Sequence, residues 1–368
     1  VIFGPSLLGS YFTDANRAVF SRETLQGLNG ISSWAVLIFV FVSGIELDLK
    51  DALQNKLDNG ITVALALSVP LLLGVIVGTS LLSYSGWIGV GVHHWQFVLS
   101  IGMCTSITAL PVLIIFLDKL VLLRQSIGQR VLRYASIDDI LIWVVLAIVL
   151  MDVGHFENQL IFFAGLSIAS ILYRKAMSAI SEADRWCYAI IWAIVVALAS
   201  ERVGLHFMAG AFIAGAITDS RWFDQKTLDF LRLHVLLILM PVYFFCTGLK
   251  VTWSTGGWSV IIVAVILLFA TVVGKLIATH LAGKILKWKT GESSIIGWLL
   301  QSKSLMTIIF TNILLDRGII TGNMFSALLI MSAISTVLTM PIVSRKLAIA
   351  DNVAKMASLS ADQVAPNI

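Results

Sequence analysis

Four ionisable side chains stand inside long apolar stretches of this 368-residue chain: Asp138, Asp139, Lys275 and Lys303. In a hydrocarbon solvent such a group costs at least about 2.5–3.5 kcal/mol on insertion scales, so its presence points to a use. The aspartates are consecutive, in Ser136-Ile137-Asp138-Asp139-Ile140-Leu141-Ile142-Trp143. Adjacent helical residues project about 100° apart, so the two carboxylates can have different neighbours. One can hold a structural partner while the other faces a wet pocket of low dielectric, where a carboxylate takes either a proton or a cation near neutral pH. The plainer alternative is a helix-end pair touching headgroups. Lys275 follows Gly274 in a long apolar run and needs a counter-charge there, unless it snorkels to the surface. Counted from one end of the expected spans, Asp138 and Lys275 lie roughly 12–14 Å deep and Lys303 about 15 Å, at about 1.5 Å per residue.

Two polar interruptions fall in apolar runs. Thr105-Ser106-Ile107-Thr108-Ala109-Leu110-Pro111 crowds hydroxyls and a proline into mid-span. Proline removes a backbone hydrogen bond and blocks the preceding turn, so freed carbonyls and the hydroxyls of Thr105, Ser106 and Thr108 can coordinate a small cation. A simple kink at Pro111 is the alternative. Gln301-Ser302-Lys303-Ser304 interrupts a second helix. Unwound backbone at membrane depth is tolerated only inside protein or beside a water-filled cavity, and two interrupted helices in corresponding halves point to a transport site.

These residues need helices to hold them. The chain is 58% hydrophobic and 12% charged, against roughly 45–50% and 25% in a soluble domain; lipid is its main solvent. Spans are expected at about 31–47, 61–82, 97–117, 129–151, 159–175, 187–200, 205–219, 233–249, 258–283, 293–315 and 322–343, with the end of another at 1–12. That predicts an all-α membrane protein of about 11–12 transmembrane helices. Residues 1–345 form one transmembrane domain whose first helix is incomplete, and 346–368 form a short polar tail. Alternate loops, starting with 48–60, collect eighteen Lys and Arg against five on the other side. The positive-inside rule then puts the richer side, and the C-terminus, in the cytoplasm. The interrupted span 97–117 precedes the aspartate span, and the Lys275 span precedes the second interrupted one, a positional hint of two inverted halves.

In this order the motifs resemble those of the cation/proton antiporter-2 family of monovalent cation/proton antiporters. The matching stretches are Phe3-Gly4-Pro5-Ser6-Leu7-Leu8-Gly9, Phe41-Val42-Ser43-Gly44-Ile45-Glu46-Leu47-Asp48, Thr105 to Pro111, Asp138-Asp139, Gly210-Ala211-Phe212-Ile213-Ala214-Gly215, Pro241 to Leu249, and Gly274-Lys275. The resemblance implies an inverted-repeat antiporter fold: six core helices, a separate dimerisation panel, and two broken helices crossing near the midplane. It implies that Asp139 alternately carries cation and proton and that Asp138 pairs with Lys275. Thr105, Ser106 and Thr108 would line the site. It also implies exchange of Na⁺ or K⁺ for H⁺ by alternating access, in a homodimer within the plasma (inner) membrane. An Asp-Asp pair with an intramembrane lysine resembles the electrogenic type. One departure is plain: relatives often carry a charged pair in the second broken helix, and here Lys303 stands without an acidic neighbour.

No constellation for covalent catalysis, metal or cofactor binding is visible, and no nucleic-acid partner is expected. Cys104, Cys187 and Cys246 are read as small hydrophobes. His93-His94 is read as a solvated interfacial pair, and Trp34, Trp87, Trp95, Trp253 and Trp258 as an interfacial belt. A sodium-coupled solute symporter of similar architecture and a non-transporting sensor on the same scaffold are the competing functions. An intramembrane aspartyl protease fits less well, because its aspartates should come from two helices.

Overall fold

The computed structural model describes residues 21–46, 56–151, 156–250 and 257–364. The expected helix end at 1–12 with its Phe3–Gly9 motif, together with Leu47, Asp48 and Trp253, lies outside them. Sixteen labels cover the elements, named here in chain order: α1 Arg22–Ile45, α2 Lys56–Leu81, α3 His94–Ser106, α4 Leu110–Lys119, α5 Ser126–Val149, α6 Phe156–Ala179, α7 Arg185–Arg202 and α8 Phe207–Ile217. A 3₁₀ turn at Ser220–Trp222 leads to α9 Gln225–His234, a π-helical turn Val235–Leu239 and α10 Met240–Leu249. Then follow α11 Gly257–Ile285, α12 Glu292–Leu299, α13 Ser304–Asp316 and α14 Gly322–Val364. Among the described residues the only β-type pairing is an isolated bridge between Ile88 and Ile320.

Every one of the eleven expected spans falls on helix. Among the described residues seven helices are long and apolar enough to cross a membrane, with α3–α4 and α9–α10 each taken as one, and the α12–α13 pair, bent by 44°, makes an eighth. Helices α5 and α7 carry too many polar residues, and α8 is too short, to qualify by length and composition. Helix α14 runs on past the last expected span, through Val364, as one 43-residue helix. Between Pro341 and Val364 no glycine or proline interrupts it.

Packing divides the helices into two groups. One contains α2, α3–α4, α5, α11, α12–α13 and α14; the other contains α1, α7, α8 and α9–α10, with α6 against α7. Within the first group backbones approach closely. A Cβ at Gly274 of α11 would lie 2.7 Å from Pro70 Cα and 2.8 Å from its Cβ, on α2. That contact is with backbone, which cannot step aside as a flexible side chain would. We expect Gly274→Ala to cost about 1–3 kcal/mol through overpacking, read as a lower Tm in detergent; an unchanged Tm would show that α2 and α11 can separate freely.

Between the groups, large side chains meet instead. Trp143 of α5 stacks on Phe212 of α8, with ring centroids 4.6 Å apart, and leans on Phe310 of α13 at 4.7 Å. Two ion pairs cross at the α5 C-terminal end: Arg317 to Glu201 at 3.0 Å, and Lys250 to Asp316 at 3.0 Å. At the opposite end, Arg130 of α5 pairs with Glu292 at 3.1 Å and lies 4.8 Å above the Trp288 ring, while Tyr134 donates to Asp58 at 2.8 Å. Glu46 ends α1 paired to Arg232 at 3.0 Å. Trp87, expected in the interfacial belt, is buried, and its backbone carbonyl accepts from the Thr321 amide of the α13–α14 turn at 3.1 Å. Cys187 is exposed on α7, unlike the buried Cys104 and Cys246. His93 and His94 open α3, and both are exposed.

Candidate functional site at the crossing of the broken helices

The site begins with a missing hydrogen. Pro111 sits in the first turn of α4 and has no N–H, so the carbonyl of Ile107, four residues back, has no helical donor. The helix therefore stops at Ser106 and restarts at Leu110, with Ile107 in an extended conformation between. Three more backbone groups are released. The Ala109 amide donates to the Ser302 carbonyl of the second break. The Thr105 carbonyl, deprived of Ala109, accepts from the Thr271 hydroxyl of α11 and from Lys303 Nζ at 2.8 Å. The Leu110 amide turns to the Asp139 carboxylate.

The second break answers the first. Lys303 Nζ also donates to the Ile107 carbonyl at 2.6 Å, supplying the hydrogen that Pro111 cannot. Thr108 Oγ1 donates to the Leu300 carbonyl at 3.2 Å. The Lys303 and Ser304 amides, which open α13, both donate to Thr336 Oγ1 of α14, at 3.2 and 3.0 Å. Gln301 reaches the Thr271 carbonyl of α11 at 3.1 Å and is held by Ser335 at 3.2 Å. The two breaks thus satisfy each other, which is how irregular backbone survives away from water.

Both aspartates are buried on α5, with 3% and 2% of their surface exposed. Lys275, fully buried on α11, lies 3.4 Å from Asp138 Oδ2 and donates to Thr108 Oγ1 at 2.9 Å. Snorkelling is ruled out for it, because Gly274 seats that turn of α11 against Pro70 in the interior. Lys303 is also fully buried. Asp138 Oδ1, Asp139 Oδ1 and the hydroxyls of Ser302 and Thr307 have no hydrogen-bond partner among the described residues. Buried polar oxygens without partners are uncommon and want a proton, a water or a cation.

The structure brings Asp138, Asp139, Thr108, Lys275, Lys303 and Pro111 to one crossing. The Thr105 hydroxyl instead bonds to the carbonyls of Pro70 and Gly102, at 2.9 and 2.8 Å, and only its backbone carbonyl faces the cluster. Ser106 Oγ turns back to the Met103 carbonyl at 3.0 Å. Sequence reasoning overlooked Trp143, one helical turn beyond Asp139, whose ring packs against Phe212 of α8 and Phe310 of α13. It also overlooked Thr271 and Thr336; hydroxyls in otherwise apolar spans were the available signal.

The sequence model described as the transmembrane region of the sodium/hydrogen exchanger matches residues 1–346. Cation/H(+) antiporter 19 of Arabidopsis thaliana is 28% identical over 371 residues, covering 93% of this chain and 45% of that protein. The Na(+)/H(+) antiporter NhaS4 of Synechocystis is 28% identical over 368 residues, covering 93% and 88%. Among solved structures, the sodium proton antiporter MjNhaP1 of Methanocaldococcus jannaschii aligns with a TM-score of 0.55 at 14% identity, over 90% of this chain and 85% of that one. The chain thus spans less than half the length of the Arabidopsis relative, and the MjNhaP1 likeness is one of fold.

Proposed function

We propose that this chain, which belongs to the sodium/hydrogen exchanger transmembrane family, is a secondary active antiporter that exchanges a monovalent cation, Na⁺ or K⁺, for protons by alternating access. The observation that carries this reading is the pair of buried carboxylates at the helix crossing, each with an unpartnered oxygen, one of them held by Lys275. Uncompensated charge in such a place is strongly unfavourable. A proton and a metal ion each relieve the same carboxylate, so they compete for it, and competition for one seat is what couples two opposed fluxes. Asp139 is the carrier: it faces the Leu110 amide, while the ion pair of Lys275 is made to Asp138. Asp138 holds Lys275 and releases it when a cation takes the lysine's place. Thr108 hydroxyl oxygen is within reach of the same ion through its contact with Lys275.

The division into two packing groups supports the motion. Tight backbone contacts hold each group together, whereas rings and ion pairs join them, so the core can slide against the panel as a body. The loop charge asymmetry supports a cytoplasmic C-terminus. A second copy would dock on the panel.

The test is a pH-gradient dye assay in proteoliposomes with Na⁺, K⁺ and Li⁺ added separately, repeated under an imposed voltage. Cation-driven dissipation of the gradient is expected from Na⁺ or K⁺, and its rate should respond to voltage. Folded protein that moves no protons with any of the three ions would sink the proposal.

A further inference from the structure

A second polar constellation lies away from the aspartates, where α1 and α10 of the panel face α13 of the core. It surrounds a cavity of about 150 Å³ whose lining includes Ser32, Tyr243, Thr247, Lys250, Asn312 and Asp316. At about 30 Å³ per water this is room for a few waters or a hydrated ion. The centre of it is Asn312, 2% exposed. Its amide nitrogen lies within hydrogen-bond distance of three acceptors, Tyr243 Oη at 3.0 Å, Thr247 Oγ1 at 3.1 Å and the Ile308 carbonyl at 3.0 Å, which share its two hydrogens. With the nitrogen fully engaged, the orientation of the amide is fixed, and Oδ1 points at Lys250 Nζ, 3.2 Å away. Lys250 Nζ also donates to Asp316 Oδ1 at 3.0 Å. Two oxygens, one neutral and one anionic, therefore hold a monovalent cation that happens to be tethered to the chain.

We propose that this is an outer recruitment site for the transported alkali cation, and that Lys250 is a displaceable stand-in for it. The inference rests on the antiport reading and adds the route of entry. Three observations support it. First, the tether is loose: the Lys250 and Asp316 side chains are 38% and 45% exposed, so the ammonium can swing into water at little cost, whereas Asn312 stays in place. Exposed ion pairs of this kind are weak, and an ion abundant in the medium can replace one partner. Second, the charge fits a monovalent ion. A single carboxylate with a carbonyl and hydroxyls falls short of the six to eight oxygens, several of them anionic, that a calcium site assembles. Third, the site shares a helix with the crossing, since Asn312 and Asp316 stand in the last two turns of α13. Ser304 opens α13 at the crossing, about 12 Å from Asn312 at 1.5 Å per residue. Tyr243 and Thr247 stand on the panel and Asn312 on the core, so the seat lies at the joint along which the two groups slide.

The experiment compares wild type, Asp316→Asn and Lys250→Met in oriented proteoliposomes, measuring the apparent KM for Na⁺ and K⁺ separately from each face. Removing the carboxylate should raise KM about fivefold from the face that bears Lys250, and removing the competing ammonium should lower it about twofold there, as expected for weak exposed charges. KM from the opposite face should hold in both variants. Equal shifts at both faces would mean that the pair biases the conformational equilibrium only, and would overturn the recruitment site. Unchanged values at both faces, with normal wild-type flux, would overturn it while leaving antiport intact. Absence of flux in wild type overturns both. Should Asp316→Asn fail to fold, the opposite sign predicted for Lys250→Met decides alone.

Discussion

Asp139→Asn is expected to abolish cation-driven proton flux, by roughly two orders of magnitude or more, while the protein folds and purifies as wild type; removing a buried charge from its seat has effects of this size. Asparagine has nearly the shape of aspartate and still offers a carbonyl oxygen to the Leu110 amide that opens α4. It can neither bind a proton at neutral pH nor neutralise a metal ion. The lost property is thus the exchangeable charge and nothing structural. The dye assay in proteoliposomes measures it, with size-exclusion and melting profiles as the control for folding. Asp138→Asn behaves differently in principle, because it takes away the partner of a fully buried lysine. A variant at Asp139 that exchanged at the wild-type rate would remove that residue from the mechanism.

Lys303→Met is expected to damage the fold itself. Methionine fills the volume of the lysine stem but donates nothing. The Ile107 carbonyl then loses the donor that stands in for the absent Pro111 N–H, and the Thr105 carbonyl keeps only Thr271. A buried orphaned carbonyl costs about 1–3 kcal/mol. The expected readouts are a clearly lower Tm in detergent and faster proteolysis, with transport lost as a consequence. Lys275→Met should leave the break closed, since Lys275 bonds to side chains and not to the freed carbonyls. A Lys303→Met protein melting with wild type would show that the two breaks do not depend on that amine.

The fold was legible because lipid imposes a coarse grammar: apolar runs of span length, charged loops between them, and a few intramembrane charges that must find each other. Asp138, Lys275 and Lys303 could be placed at one depth by counting residues. Depth, however, does not give azimuth. Nothing in the local sequence distinguishes Thr108, which meets Lys275, from Thr105 and Ser106, whose hydroxyls turn to carbonyls of α2 and of their own helix. That choice is set by the close approach of Gly74 and Gly102 between α2 and α3, a tertiary fact. The absence of an acidic neighbour for Lys303 was visible as a departure from related sequences. Its physical resolution was not, because the partners are backbone carbonyls, which every residue type carries. Trp143 was hidden for a similar reason: a tryptophan in an apolar run looks like filler until Phe212 and Phe310, from distant helices, close around it.

The mutual closure of the two breaks has a consequence for biosynthesis. The groups that complete Thr105, Ile107 and Thr108 are supplied by residues 166 to 198 positions later in the chain. At about 5–20 residues per second, a ribosome needs roughly 10–40 s to deliver them. Throughout that interval the first break carries bare carbonyls that hydrocarbon cannot solvate, each at a cost of several kcal/mol. The nascent first half must therefore wait in a hydrated or protein-lined shelter, such as the insertion machinery, before it meets lipid in final form. Chains truncated after α6 are accordingly expected to be cleared rapidly by membrane proteases.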